Sequence, residues 1–418
     1  MESIVHAVEG DCEAYHQKGT ETKVILSNDC IVSLEKKFIK GTGFRVFIGG
    51  HQGFAYSTDE RRLKEVAEFA AKLARTSSEV KRTPIPEEYP QVDGLFDPRL
   101  GELDVETVTG MAEDMLQGAA ENKGHIIYGE INITELYHEI VTSYGIQGDF
   151  HETLCVAGVD VEVDGVFGSK TLYRRDSNFR LFDLGKKAAE LATASRDPQR
   201  IEGGDMPVIL KPPAASKLLE HVIVPLLLAD NRESAQSFYD RMGRITSEMT
   251  IVDDGTLEKG IGSRPFDGEG SPSRETVAIE NGLLQTFLFD TTTAFDNQVR
   301  STGNAVRSSF RTPPVIYISN LILRPEFRTS TLIEDTKSGI LINDIMGSFS
   351  ADFTTGKFGF DAKNVFLVEN GEMRYPVDDV PIVGDITEIF RGIEPGDDVE
   401  QEGLLQVPST RIHASVMI

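Results

Sequence analysis

Apolar residues in the first half of the chain recur with two periods, one typical of helices and one typical of strands. Four of them stand at the spacing of a single helix face: Leu63, Val66, Phe69 and Leu73. Because side chains three and four positions apart share one face of a helix, the pattern predicts a helix with that face buried. Ser57 and Glu60 have the spacing of a capping box and predict where this helix begins.

Two further helices are predicted before residue 200. Asp104 can cap the second helix, in which Val108, Met111 and Met115 share a face. The third helix covers about residues 184–194. All three are expected to pack against strands through one apolar face.

Strand patterns dominate the rest of the chain. Alternating valines at 159, 161 and 163 precede Asp164-Gly165, which suits a tight hairpin turn. Asn281-Gly282 and Asn370-Gly371 each lie between apolar runs and predict two more hairpins. The other predicted elements are strands at 23–27, 44–48, 208–210, 283–289 and 315–323, and a helix near 214–228.

These elements predict an α+β protein of two domains. A chain of 418 residues is longer than a domain with a single hydrophobic core usually is. Residues 1–200 are expected to form an α/β domain of antiparallel strands with packed helices. Residues 206–418 are expected to form a β-rich barrel or sandwich. The boundary is placed in the polar stretch 195–205, which contains Gly203-Gly204.

Composition narrows the classes of function. The formal net charge of −25 disfavours binding to nucleic-acid phosphates. The three cysteines are unclustered, so neither a disulfide framework nor a zinc ribbon is indicated. The N-terminus lacks a signal-peptide pattern, and the best apolar run, 218–229, is too short and too polar to span a bilayer. We therefore expect a cytoplasmic protein with no membrane or nucleic-acid partner.

Motifs for familiar chemistry are weak. Gly41-Thr-Gly43 leads into a strand and predicts a turn rather than a phosphate loop. His151 and Cys155 lie on one predicted strand, where a structural histidine and a buried cysteine are favoured over a nucleophilic pair. No His-Glu-x-x-His occurs, and His138-Glu139 has no second histidine at the required spacing. No metal site is predicted, although carboxylates could still build one.

Two segments rich in Gly and Arg, residues 262–274 and 300–307, stand out in the second half. Glycine lets backbone approach a ligand closely, and arginine can grip a carboxylate with two hydrogen bonds. The candidates for substrate contact are Gly262, Ser263, Arg264, Phe266, Asp267, Ser301, Thr302 and Asn304. The segments are interpreted equally well as walls of a peptide groove or as loops held by internal salt bridges and a buried polar network.

At these segments the chain resembles the TldD/PmbA family, the proteins once called modulators of DNA gyrase. The matching stretches are 262–270, 300–305, 368–371, 375–377 and 408–412. The resemblance implies a cytoplasmic metallopeptidase built from two homologous subunits. Its substrates are unfolded peptides or small proteins.

The resemblance also implies which subunit this is. In the TldD type, a helix carries His-Glu-x-x-x-His, and a C-terminal cysteine completes the zinc site. Here the two ligand positions fall on Glu220 and Pro225, the catalytic acid position falls on His221, and the cysteine is absent. The chain is therefore similar to the TldE/PmbA subunit. No catalytic residue is expected in it, and zinc is expected in a TldD-type partner.

Two alternatives stay open. The chain could be an independently active peptidase with an atypical metal site, for which Glu220, His221 and Asp267 are the candidates. It could also be a homodimeric peptide-binding adaptor without a catalytic partner.

Overall fold

The first half of the chain is built on one six-stranded antiparallel sheet. The computed structural model describes residues 1–77, 79–82, 84, 86–242 and 249–417. The strands of the first sheet are β1 (Asp11–Ser27), β2 (Cys30–Ile48), β3 (His51–Ser57), β4 (His125–Thr142), β5 (Gln147–Val163) and β6 (Val166–Arg174). Their order is β3-β2-β1-β4-β5-β6, so β3 and β6 form the two edges. The helices of this half are α1 (Glu2–Val5), α2 (Leu63–Ala74), α3 (Pro98–Gly101), α4 (Val105–Ala120) and α5 (Leu181–Ala194).

Short turns set the register of this sheet. Asp164 and Gly165 have positive φ angles of 50° and 84°, which confirms the predicted hairpin between β5 and β6. Asn28 and Asp29, at φ angles of 50° and 57°, form a corresponding turn between β1 and β2. The predicted strands 23–27 and 44–48 are therefore parts of a much longer hairpin, the first next to its turn and the second at its open end.

Helix α2 differs from its prediction in both start and face. Asp59 caps a single 3₁₀ turn, Glu60–Arg62, before the helix. The Ser57 hydroxyl bonds only to the backbone of Asp59, accepting from its amide and donating to its carbonyl oxygen. The buried residues are four alanines: Ala67, Ala70, Ala71 and Ala74. Phe69 and Leu73 are 53% and 37% exposed. The reason is Gly53 on β3, where an added Cβ would lie 2.0 Å from the Ala70 carbonyl oxygen. So close an approach of helix and strand admits only small side chains.

Helix α4 follows its prediction. The Asp104 carboxylate accepts a hydrogen bond of 2.8 Å from the Thr107 amide, which satisfies one of the unpaired amides of the first turn. Val108 and Met115 are fully buried, and Met111 packs partly buried beside them.

The second half contains fifteen strands in the described residues, several of them very short. They are β7 (Gly204–Leu210), β8 (Ile251–Asp254), β9 (Glu275–Glu280), β10 (Leu283–Leu284), β11 (Ala305–Val306), β12 (Val315–Ile316), β13 (Leu321–Leu323), β14 (Ser338–Asp352), β15 (Lys357–Glu369), β16 (Glu372–Val377), β17 (Val380–Asp385), β18 (Glu394–Pro395), β19 (Glu400–Glu402), β20 (Leu405–Val407) and β21 (Thr410–Val416). The helices are α6 (Pro212–Val222), α7 (Val224–Leu227), α8 (Arg232–Met242), α9 (Thr291–Asn297), α10 (Thr329–Glu334) and α11 (Ile386–Gly392).

Five of these strands close into a barrel. The ring runs β14-β7-β21-β17-β15, and pairing of β15 with β14 completes it. A second sheet has the order β10-β9-β8-β13-β20-β19, with β19 at its edge. The α+β class is thus confirmed, with 25% helix and 42% strand. Whether the two halves fold as independent domains stays a prediction.

The predicted hairpins of the second half are present, but two predicted strands are shorter. Asn281 and Asn370 both have positive φ, as the hairpin turns require. The strand expected at 283–289 is limited to β10, and the one expected at 315–323 is divided into β12 and β13. No helix in the described residues combines the length and apolar character needed to cross a bilayer.

Candidate functional site

The helix that carries the expected metal motif is interrupted. α6 ends at Val222 and α7 begins at Val224, so the helix predicted near 214–228 is two helices. Pro225 explains the break, because it has no amide hydrogen to donate to the His221 carbonyl and its ring crowds that carbonyl. The motif positions therefore lie on two separate helical segments.

Each motif residue is engaged in other contacts or lacks a donor atom. The Glu220 carboxylate accepts a hydrogen bond of 2.9 Å from the Tyr317 hydroxyl. His221 Nδ1 lies 2.8 Å from the Lys217 carbonyl oxygen, and the ring packs 4.5 Å from that of Phe349. Pro225 has no atom that binds a metal.

These residues do not fit a catalytic zinc centre. Such a centre needs three protein ligands in a fixed open geometry. Among the described residues, no group of three His, Cys, Asp or Glu side chains is placed to hold a metal ion. We therefore derive no metal chemistry at this helix.

A cleft of about 1000 Å³ lies beside α6. In the described part of the chain, its sides include two strands that pair on one side only, β6 from the first sheet and β19 from the second. Helices α5 and α6 line it as well. Edge strands present unpaired backbone amide and carbonyl groups, so this cleft can accept an extended chain.

Charge is distributed unevenly around the cleft. Its α6 side carries an ion pair of 2.6 Å between Lys217 and Asp344, next to Glu220. Burial, followed by repulsion from Glu400, raises the pKa of Glu402 to about 7. The side formed by β6 and α5 carries the cations Lys170, Arg174, Arg180 and Lys187 together with the acids Asp183 and Glu190. The cleft is therefore polar, with charges of both signs in its lining.

The two Gly- and Arg-rich segments meet in one buried layer. The Gly268 amide donates to the Ala305 carbonyl at 2.6 Å, and the Ala305 amide donates to Asp267 Oδ2 at 3.1 Å. Burial and the charge of Glu269 raise the pKa of Asp267 to about 7. Burial likewise raises the pKa of Asp253 to about 6.

Four of the eight predicted contact residues are almost fully buried in this layer: Ser263, Phe266, Asp267 and Asn304 are each at most 1% exposed. The Ser263 hydroxyl donates to the Leu257 carbonyl at 2.7 Å, and Asn304 Nδ2 donates to Asp253 Oδ2 at 2.7 Å. The Phe266 ring packs 4.8 Å from that of Tyr89. These three contacts fix the segments to the surrounding protein, and a role in binding peptide stays a prediction.

The other four candidates are half-buried: Gly262, Arg264, Ser301 and Thr302. A Cβ at Gly262 would lie 2.0 Å from the Ser319 carbonyl oxygen, so only glycine fits there. The hydroxyls of Ser301 and Thr302 both lie 3.1 Å from the Phe289 carbonyl oxygen. Within the described residues, Arg264 Nε and Nη2 are buried without a hydrogen-bond partner.

The sequence did not reveal an ionic cluster that joins the two halves. Glu13 on β1 is fully buried and pairs with Arg45 Nε at 2.7 Å and with Arg82 Nη1 at 2.8 Å. Arg45 Nη1 lies 2.8 Å from Glu269 Oε1, and Arg307 Nη2 lies 3.5 Å from Glu13 Oε2. Burial opposes ionisation of Glu13, but Arg45 and Arg82 outweigh it and lower its pKa to about 2. We call Glu13, Arg45, Arg82, Glu269 and Arg307 the ionic cluster.

A chain of hydrogen bonds makes a second connection between the halves. His138 Nδ1 lies 2.7 Å from the Tyr15 hydroxyl, and His138 Nε2 lies 2.8 Å from Glu152 Oε1. Arg175 then links Glu152, at 2.9 Å, to the Gly260 carbonyl, at 2.7 Å. His138 is thus a buried structural residue.

The remaining sequence patterns are structural. Cys155 is fully buried, which raises the pKa of its thiol to about 12. His151 pairs with Glu135 at 3.0 Å. The interpretation as a structural histidine and a buried cysteine is confirmed. The turn predicted at Gly41-Thr-Gly43 is wrong, because these residues lie within β2. The two glycines instead make room for Phe310, since a Cβ at either would lie 2.2 Å from an atom of that residue.

Comparison with known proteins gives the family. Residues 203–417 match the PmbA/TldA metallopeptidase C-terminal domain, and residues 12–74 match PmbA/TldA metallopeptidase domain 1. An uncharacterized protein of Methanocaldococcus jannaschii is 28% identical over 407 residues, which cover 96% of this chain and 94% of that protein. A metalloprotease of the same organism is 27% identical over 400 residues, covering 89% and 86%.

Solved structures agree on the fold. TldE from Thermococcus kodakarensis superposes with a TM-score of 0.87 at 19% identity, covering 97% of this chain and 96% of that one. The family expected from the two Gly- and Arg-rich segments is confirmed, and the chain belongs to the TldD/PmbA metallopeptidase family.

Proposed function

We propose that this chain is the zinc-free subunit of a two-subunit cytoplasmic metallopeptidase that cleaves unfolded peptides or small proteins. Its partner is a TldD-like homologous chain that holds the zinc. In this assembly the present chain forms one wall of the peptide-binding space and performs no bond cleavage itself.

One observation carries the proposal. At the two positions where the family's catalytic subunit places histidines, this chain has Glu220, which accepts a hydrogen bond from Tyr317, and Pro225, which ends α6. Restoring a zinc site here would take more than one substitution, because the helix that should carry both ligands is broken at this point. Together with membership of a metallopeptidase family, this supports the proposal that the catalytic residues belong to another chain.

The cleft beside α6 is the proposed place of peptide contact. Backbone hydrogen bonds to the free edges of β6 and β19 hold an extended peptide whatever its sequence. A folded protein has no free extended segment to place there, so the substrates are unfolded.

Metal analysis and a cleavage assay test the division of labour. The purified chain alone is expected to hold no stoichiometric zinc and to leave an unfolded peptide intact. Mixed with the TldD-like chain of the same cell, it is expected to form a complex that cleaves the peptide faster than the partner alone. Stoichiometric zinc with turnover by the isolated chain would instead support the independent peptidase, and failure to bind any TldD-like chain would support the adaptor.

A substitution that blocks the cleft tests whether the peptide binds there. Thr171 lies exposed on β6 and lines the cleft, so Thr171→Trp fills part of it. We expect the complex to form normally and to lose most of its peptide cleavage. Thr107→Trp, an equal substitution at an exposed position on α4 outside the cleft, is the matched control. Full activity of the Thr171 variant would exclude this cleft.

A further inference from the structure

A second cavity, separate from the cleft beside α6, has the properties of a binding site. Its volume is about 570 Å³, within the range of ligand sites. It lies where both Gly- and Arg-rich segments reach the surface, since Arg274 from one and Arg300 and Ser301 from the other line it. We call it the segment cavity.

The lining of the segment cavity is more basic than the rest of the protein. Lys81, Arg274 and Arg300 face two carboxylates, Glu87 and Asp296, in a chain whose net charge is −25. Arg274 Nη2 is 3.9 Å from Glu87 Oε2, at the outer limit of an ion pair. Arg300 is exposed and makes no ion pair or side-chain hydrogen bond with any described residue. Its guanidinium is therefore available to an anion.

An unsatisfied hydroxyl lies in the same wall. Thr291 is only 5% exposed, and its Oγ1 atom has no hydrogen-bond partner in the described part of the protein. Its amide, by contrast, donates to Glu269 Oε2 at 2.8 Å. Buried polar atoms are normally paired, so this hydroxyl is an unusual feature of the wall, but the atom itself is covered and is not counted among the ligand contacts.

The cavity also has an apolar side. Phe295 and Val299 line it and are 42% and 49% exposed. Apolar surface next to a free guanidinium fits a ligand that has a carboxylate at one end and an apolar group beside it. The last residue of a peptide has this chemistry, and a guanidinium can grip its carboxylate with two hydrogen bonds.

We propose that the segment cavity binds the C-terminal carboxylate of a peptide whose last side chain is apolar. Arg300 and Arg274 hold the carboxylate, and Phe295 and Val299 contact the side chain. The choice of a peptide as ligand rests on the proposed function, but binding here requires neither zinc nor a partner subunit.

The test is fluorescence polarisation with the full chain alone. The probe is the peptide Gly-Ser-Gly-Ser-Leu-Phe with fluorescein at its N-terminus, made with a free C-terminal carboxylate and, separately, with a C-terminal amide. The free acid is expected to bind saturably, and the amide to bind at least about tenfold more weakly, as loss of a charge-assisted hydrogen bond requires.

Two variants locate the site. Arg300→Gln is expected to weaken binding of the free acid at least about tenfold without changing unfolding, because Arg300 has no partner to lose. Arg196→Gln, at a surface arginine outside the cavity that pairs with Asp164 at 2.7 Å, is the matched control and should bind as the wild type does.

Three results would overturn the proposal. They are equal binding of acid and amide, unchanged binding by Arg300→Gln, and no saturable binding of the free acid at millimolar concentration. The assay involves no proteolysis, so its failure is distinct from a failure of the isolated chain to assist a TldD-like partner.

Discussion

Replacing Glu13 by Gln should strongly destabilise the protein, because it removes the carboxylate at the centre of the ionic cluster. The Glu13 carboxylate is fully buried and also accepts a hydrogen bond of 2.6 Å from the Tyr144 hydroxyl. An amide in its place keeps the shape but removes the carboxylate that Arg45, Arg82 and Arg307 share, and of the three only Arg45 also pairs with Glu269.

Two arguments give the magnitude. Removing one member of a buried, hydrogen-bonded ion pair costs about 3–5 kcal/mol, since the remaining charge stays buried without compensation. The pKa of Glu13, about 2 instead of 4.5, corresponds independently to about 3 kcal/mol at neutral pH. We therefore expect the Gln variant to lose about 3–5 kcal/mol of unfolding free energy at pH 7.

Urea unfolding followed by far-UV circular dichroism measures this loss, since the chain has no tryptophan for fluorescence. The matched control is Glu35→Gln, which breaks an exposed pair with Lys37 at 2.9 Å and should leave stability almost unchanged, because solvent screens that pair. A Glu13 variant within about 1 kcal/mol of the wild type, or as large a loss in the control, would refute the reasoning.

The pH dependence supplies a further check. A carboxyl whose pKa is depressed by folding stabilises the protein fully above its unfolded pKa, and the stabilisation is lost as pH falls toward its folded pKa. The difference between wild type and the Glu13 variant should therefore shrink as pH falls from 4.5 toward 2. A difference that stays constant over this range would contradict the assignment.

Three other predictions concern single residues. Folding raises the pKa of Glu402 from 4.5 to about 7, so ionisation of this carboxyl destabilises the folded protein, and the free energy of unfolding should fall by up to about 3 kcal/mol between pH 4.5 and 7. Glu402→Gln should abolish this fall in urea unfolding measured as a function of pH. Gly53→Ala should lower the free energy of unfolding in urea by about 1–3 kcal/mol, because the new methyl group pushes α2 away from β3. Gly110→Ala, in open space on α4, should instead raise it by up to about 1 kcal/mol. Arg264→Ala should impair peptide cleavage by the assembled complex more than folding; loss of soluble protein without a separate activity defect would assign Arg264 a structural role.

Local sequence signals predicted local structure well. The cap at Asp104 and the turns at Asp164 and Asn370 depend on a few neighbouring residues, and each is present. The face of α2 was wrong because Gly53, ten residues before the helix, allows so close an approach that only alanines fit between helix and sheet. Periodicity alone assigns large apolar residues to the core and takes no account of the surface against which the helix packs.

The site was less accessible to sequence reasoning. The two Gly- and Arg-rich segments were recognised as special, but the partners of their residues come from far along the chain. Glu13 and Arg307 are 294 positions apart, and no spacing rule relates them. The pairing of β7 with β21 in the barrel likewise joins residues about 200 positions apart, such as Leu210 and Thr410. A single charged residue within a predicted strand, such as Arg45, likewise gave no sign in the sequence that it pairs with Glu13 and Glu269.

The order of strands in the barrel has a consequence for synthesis of the protein. β7 pairs with β21, so β7 lacks this neighbour in the ring until residues 410–416 have left the ribosome. Until then the apolar interior that β21 will cover is open, while the first sheet already has all its strands. Chaperones that shield nascent chains should thus act mainly on ribosomes that have passed residue 204, and premature termination before residue 410 should yield aggregating fragments rather than a smaller soluble barrel.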